Sequence, residues 1–275
     1  MTLFDPPGEV PISGVVVDAP GGPPLARVRM TVAYDGTDFH GFAANAGVVT
    51  VGGTLTEAIE RVLGRPIELA CAGRTDAGVH AWGQVVSFDA PSAGLDLAEL
   101  ARAVTKLCGG PIVVRAAERA EPDFHARFSA RSRRYRYTVL NTPAPDPFTR
   151  RVTWHVETPL DLERMRLGCD PIIGSHDFSS FCRAPKVGPG QPPASLVRRV
   201  IDARWDDLGD GVLRFEVEAN AFCHQMVRSL VGTLVDLGLG RHRPGELAAM
   251  LRAGDRHAAG QVAPPRGLCL WQVRY

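Results

Sequence analysis

The order in which the hydrophobic period changes over residues 26–118 constrains this chain more than any other feature. Val28, Met30, Val32 and Tyr34 alternate with Arg29, Thr31 and Ala33, the pattern of a strand with one buried face. Asp35-Gly36 turns the chain out of that strand, and residues 37–50 follow as a long, weakly patterned loop. Thr54-Leu55-Thr56-Glu57 has capping-box spacing. Leu55, Ile59, Val62 and Leu63 supply the apolar face of the helix after it, and Gly64-Arg65-Pro66 stops that helix. Strand-like runs then stand at Ile67–Cys71 and Gln84–Phe88. Asp96 caps a second helix over Leu97–Cys108, and Ile112–Glu118 returns as a strand. This βαββαβ-like order describes a small sheet with helices on one side.

The second half has the same character. Arg151–Glu157 reads as a strand and Leu160–Leu167 as a helix; strands follow at Leu196–Asp206 and Val212–Ala219. A helix over Ala221–Leu237 has Phe222, Met226, Leu230 and Leu234 at helical spacing, and Gly267–Val273 is a closing strand. The fold class read from this is α+β: two similar mixed α/β lobes with antiparallel sheets flanking a basic cleft. The lobes span 26–120 and 151–275, with a basic, aromatic segment and linker at 121–150. Residues 1–24 are rich in Pro and Gly and read as a flexible arm, as does the Pro/Gly-rich stretch at 183–195. No internal repeat is visible.

Composition excludes more than it assigns. A length of 275 residues, 45% hydrophobic and 22% charged, suits one large domain or two lobes. The formal charge is only +1, so a nucleic-acid partner needs a local patch. The six cysteines form no CxxC pair and read as free, mostly buried thiols of a reducing compartment. No dinucleotide fingerprint, phosphate-binding loop or metal-ligand cluster stands in the chain, so no cofactor and no metal are expected. With no apolar run approaching 18 residues and no secretory leader, no membrane association is expected and the cytoplasm is the default.

Chemistry concentrates in two stretches. Cys71-Ala72-Gly73-Arg74-Thr75-Asp76-Ala77-Gly78-Val79-His80 links two strands through a tight loop that presents Arg74, Asp76 and His80. Spacing alone leaves open whether this is a turn with a solvated arginine or a site. Between Pro122 and Arg151 there are seven arginines and two aspartates. On strand periodicity Arg133, Tyr135 and Tyr137 point one way and Arg134 and Arg136 the other. A basic, ring-bearing surface of this kind suits RNA, although an amphipathic strand with a solvated arginine face has the same pattern.

These stretches resemble the TruA-type transfer-RNA pseudouridine synthases. The octamer Gly73–His80 looks like that family's catalytic signature. Tyr34-Asp35-Gly36, Asp123–Ala130, Arg134–Tyr137, Asp177–Phe181, Asn220–Arg228 and Gly267–Leu270 look like its other motifs, in order over residues 28–275. The resemblance implies isomerisation of uridine to pseudouridine in the anticodon arm, near tRNA positions 38 to 40, by a homodimer, with no other protein partner evident. It implies that Asp76 is the catalytic nucleophile, that Arg74 contacts RNA and fills the space of the displaced nucleotide, and that Tyr135 stacks on the target base. Arg74 is also placed to hold Asp76 charged. Arg127, Arg131, Arg133, Arg134, Arg136 and Arg228 are candidate RNA contacts, and His80, His125 and His224 candidate linings of the RNA path. The chain departs from the family at Gly41-Phe42-Ala43-Ala44-Asn45, at Val51-Gly52 and at Gln225, which bears on RNA contact by the loop at 37–52. Two other classes stay in view: a non-catalytic RNA-binding or RNA-chaperone protein on the same scaffold, and an unrelated small-molecule enzyme with an Arg/Asp loop.

Overall fold

The computed structural model describes residues 24–184 and 195–275. The expected arm at 1–24, except Pro24, and most of the stretch read at 183–195 lie outside the described residues.

The elements run β1 (Leu25–Tyr34), α1 (Val51–Leu63), β2 (Ala70–Cys71), β3 (His80–Pro91), α2 (Leu97–Leu107), β4 (Ile112–Arg119) and β5 (Ser132–Leu140). There follow β6 (Trp154–His155), α3 (Leu162–Leu167), β7 (Gly174–Asp177), β8 (Val197–Asp207), β9 (Val212–Ala219), α4 (Met226–Gly238), α5 (Glu246–Ala253) and β10 (Leu268–Arg274). The architecture is mixed α/β, as expected, but one sheet runs through both halves. Its order is β4-β1-β3-β10-β5-β9-β8-β7, with β2 on β3 and β6 on β5. The expectation of antiparallel sheets is corrected at the seam. There β10 pairs parallel with β3 (Cys269 opposite His80) and antiparallel with β5 (Leu270 opposite Tyr135). The C-terminal strand thus welds the halves together and sets Tyr135 near the start of β3.

Local rules account for most boundaries. Asp96 caps α2 through the backbone N–H groups of Ala98 and Glu99. Helix α1 starts earlier than the capping-box spacing suggests. Its cap is Thr50, whose hydroxyl accepts from Gly53 N, so Thr54 already lies inside the helix. Helix α4 starts later than Ala221, at Met226, because residues 220–225 form a loop ending in Gln225 at φ 64°. Val28, Met30, Val32 and Tyr34 are buried as their alternation requires. Helix α4 is buried almost all round, with Leu230, Val231, Leu234 and Val235 fully enclosed. Truncating Leu230 to alanine would remove about 2–5 kcal/mol of stability.

The face of β5 opposite Tyr135 is charged. Arg134 bonds Glu218, Arg136 bonds Glu216, and both carboxylates are nearly inaccessible beneath the arginines. Cross-strand register explains the pairs: Arg134 lies opposite Glu218 and Arg136 opposite Glu216 on β9. Among the described residues, no helix is long and apolar enough to cross a membrane.

Candidate active site

The loop between β2 and β3 carries Asp76, and its shape is held from several sides. Gln84, fully buried on β3, donates to the Gly73 carbonyl at 2.6 Å. Tyr34 and Thr75 share a hydrogen bond of 2.8 Å. Phe42 N donates to the Thr75 carbonyl at 3.0 Å and Gly78 N to the Phe39 carbonyl at 3.3 Å, so the loop at 37–52 packs on the Asp76 loop backbone to backbone, with Phe39 and Phe42 buried. Gly36 is needed for this approach, because a Cβ there would stand 1.9 Å from the Val79 carbonyl oxygen. Gly78 turns the chain with φ +76°, a conformation that favours glycine.

Asp76 itself is 28% exposed at its side chain and meets two residues from the start of α4 and the loop before it. Oδ1 lies 3.4 Å from His224 Nε2, and Oδ2 lies 3.4 Å from Arg228 Nη1. Arg228 is in turn fixed by donating from Nε to the Ala263 carbonyl at 2.7 Å. Burial pushes the Asp76 carboxyl up, but His224 and Arg228 together outweigh it and hold the group below the usual carboxylate range. The amino-terminal end of α4 adds partial positive charge on the same side.

Tyr135 is 8% exposed, with its ring edge-on to Phe222 at 5.0 Å. Its hydroxyl bonds no described residue and lies near Gly73 on the Asp76 loop. Burial, and then the Asp76 charge, push its phenol well up, so it stays protonated. An ionised carboxylate, a fixed guanidinium, an imidazole and a neutral phenol therefore converge. This set can present a nucleophile or base to a flat, polar substrate.

The sequence-predicted residues divide clearly. Asp76, Tyr135, His224 and Arg228 come together. Arg74 stands exposed on the same loop, and its expected pairing with Asp76 is corrected: the partners are His224 and Arg228. Arg133 spends all five N–H groups on the carbonyls of Ala72, Arg127, Ala130 and Asn220, at 2.7–3.2 Å. It clamps three loops rather than reaching outward. Arg134 and Arg136 lie on the far face of the sheet. Arg127 and Arg131 are exposed, and His125 is half-buried in the same loop. His80 is buried; its Nε2 meets the carbonyls of Arg151 and Arg266, and its Nδ1 accepts from Gly36 N. The free-thiol reading holds for Cys71, Cys108, Cys169 and Cys269, whereas Cys182 and Cys223 form a disulfide with Cα atoms 5.8 Å apart. These two lie far apart in sequence, and only the fold brings them together, next to His224. Gln84 and Phe222 escaped the sequence reading. A lone glutamine between Gly83 and Val85 was the only trace of the first, and helical spacing placed the second inside the helix that starts only at Met226.

A profile of the tRNA pseudouridine synthase family matches residues 30–129 and 169–275. The first matched stretch contains Asp76 and the second His224 and Arg228, whereas Tyr135 lies between the two. The chain belongs to the tRNA pseudouridine synthase family. Similar relatives include tRNA pseudouridine synthase A of Brevibacillus brevis, 40% identical over 91% of this chain and 100% of the relative. The same enzyme of Moorella thermoacetica is 40% identical over 90% of this chain and 99% of its own, and that of Bacillus licheniformis 38% over 90% and 99%. As a tRNA pseudouridine synthase, the chain is an isomerase.

Proposed function

We propose that Asp76 is the nucleophile that isomerises uridine in the anticodon arm of tRNA, at positions 38 to 40. The observation that carries this is the ionised Asp76 carboxylate, held between His224 and Arg228 beside the protonated Tyr135 phenol. The N1–C1′ bond breaks with its electron pair leaving on N1. The uracil turns, C5 bonds to C1′, the C5 proton departs and N1 gains a proton. The rearrangement is redox-neutral and transfers no group to or from a carrier, so the chemistry calls for no cofactor. An anionic carboxylate can engage the sugar while Tyr135 stacks on the base, and stacking tolerates the rotation that a bidentate hydrogen bond would block. A stem nucleotide must leave its stack first, at about a few kcal/mol, and the exposed Arg74 is placed to occupy the gap. The family resemblance supports a homodimer acting on tRNA in the cytoplasm.

The purified protein is expected to convert uridine in an anticodon-arm transcript without added metal or cofactor. Carbodiimide-dependent reverse-transcription stops map the product, and stops absent from positions 38 to 40 would refute the assignment. Arg74→Ala should leave stability within about 0.5 kcal/mol, since the side chain is exposed. Its RNA affinity should fall about tenfold, the worth of one charge-assisted hydrogen bond. Melting curves and filter binding read the two quantities; a stability loss without an affinity loss would contradict the role.

A further inference from the structure

Phe128, in the loop before β5, is 75% exposed. One exposed phenylalanine is ordinary on a protein surface. Here, however, the loop that carries it is fixed on every side. Ala126 is fully buried; its N–H donates to Ser87 Oγ at 3.0 Å, and its carbonyl accepts from the Tyr275 hydroxyl at 2.8 Å. Arg27 donates to the Phe124 carbonyl at 2.9 Å. His125 Nδ1 accepts from the backbone N–H of Arg127 at 3.1 Å and of Phe128 at 3.4 Å, which leaves Nε2 as the protonated nitrogen. Arg133 Nη2 donates to the carbonyls of both Arg127 and Ala72. One guanidinium thereby ties the Phe128 loop to the strand that feeds Asp76.

The surroundings of the ring are those of a nucleotide subsite. The His125 ring lies 4.4 Å from that of Phe128, and the Arg127 guanidinium lies 5.4 Å from its centroid. Burial, and then Arg27 and Arg127, push the imidazole down, so near neutral pH it supports the phenyl ring as a neutral ring. Arg127 is exposed and forms no ion pair among the described residues. An apolar face flanked by a cation fits a base with its phosphate better than it fits an apolar protein surface, which would leave the cation unpaired.

We propose that Phe128 is a stacking shelf for a nucleobase of the bound RNA, with Arg127 taking the adjoining phosphate. This rests on the chain modifying RNA at Asp76. The variants Phe128→Ala, Phe128→Leu and Phe128→Trp separate stacking from mere apolar bulk, and an exposed ring can be changed without unfolding the protein, which equal melting temperatures check. With an anticodon stem-loop transcript as the probe, Kd and KM should rise about 5- to 150-fold for alanine and leucine, with kcat within about twofold. Tryptophan should restore both. Phe128→Ala should leave the slope of log affinity against log salt unchanged, whereas Arg127→Gln should reduce it by about 1. A leucine variant equal to the parent, a tryptophan variant as poor as alanine, or a fall in kcat at constant KM would overturn the shelf. If the parent binds the transcript but forms no pseudouridine, the functional reading fails alone, because the order of Kd values still decides the shelf. If the parent does not bind, both fall.

Discussion

Asp76→Asn should abolish pseudouridine formation while leaving RNA binding intact. The substitution keeps the shape of the side chain and removes its charge, so the loop held by Gln84, Thr75 and Phe42 stays in place. What disappears is the charge by which, in the proposed mechanism, the carboxylate engages the sugar. Loss of a nucleophile or its direct partner lowers kcat by on the order of 10⁴- to 10⁶-fold in enzymes where it has been measured. Single-turnover conversion of a labelled transcript at saturating enzyme reads the chemical step, and filter binding reads affinity. An asparagine variant active at the parent rate would remove Asp76 from the mechanism. Loss of binding together with activity would point instead to an RNA-binding role for the carboxylate.

Arg228→Gln should slow the reaction on the order of 10²-fold at neutral pH, the penalty typical of a misplaced reacting group. Arg228 is the permanently charged partner of Asp76, and its second bond, to the Ala263 carbonyl, fixes where that charge sits. The direction of the pH effect follows from the balance at Asp76. Burial pushes the carboxyl up; His224 and Arg228 pull it below the ordinary range. Without the guanidinium, burial is opposed by His224 alone, so the carboxyl titrates at higher pH. Activity needs the ionised form, so the acid limb of the rate profile should move upward in the variant. The linked stability has the same sign. A depressed carboxylate contributes stability that is present above its unfolded-state value and is lost as pH falls through the folded value. The glutamine variant should therefore lose less stability on acidification than the parent. An acid limb that stays where it was, in a variant with the parent's melting temperature, would show that Arg228 does not set the charge state of Asp76.

Much of the fold was legible in the sequence because short-range rules produced it. The alternation from Val28 to Tyr34 and the Asp96 cap correspond to β1 and α2 as found. The start of α4 was misplaced for a physical reason. Phe222 has helical spacing to Met226, but residues 220–225 are shaped by their contacts: Asn220 caps neighbouring backbone, His224 meets Asp76 and Phe222 meets Tyr135. The loop at 37–52 looked patternless for a similar reason. Its backbone is matched to the Asp76 loop rather than to a helical or strand period.

In the sequence, the resemblance of its motifs singled out Asp76 and Tyr135, and strand alternation put Tyr135 and Arg134 on opposite faces of one strand. Motifs and backbone period are local properties, which any stretch of chain carries with it. Only the tertiary structure decided which cations serve Asp76, which arginines are consumed by buried glutamates and carbonyls, and that β10 joins two half-sheets into one. A strand's period says which way a side chain points but not what waits there. Arg228 reaches Asp76 across 152 residues, and Arg134 meets Glu218 across 84, so each arginine's role was settled by long-range register.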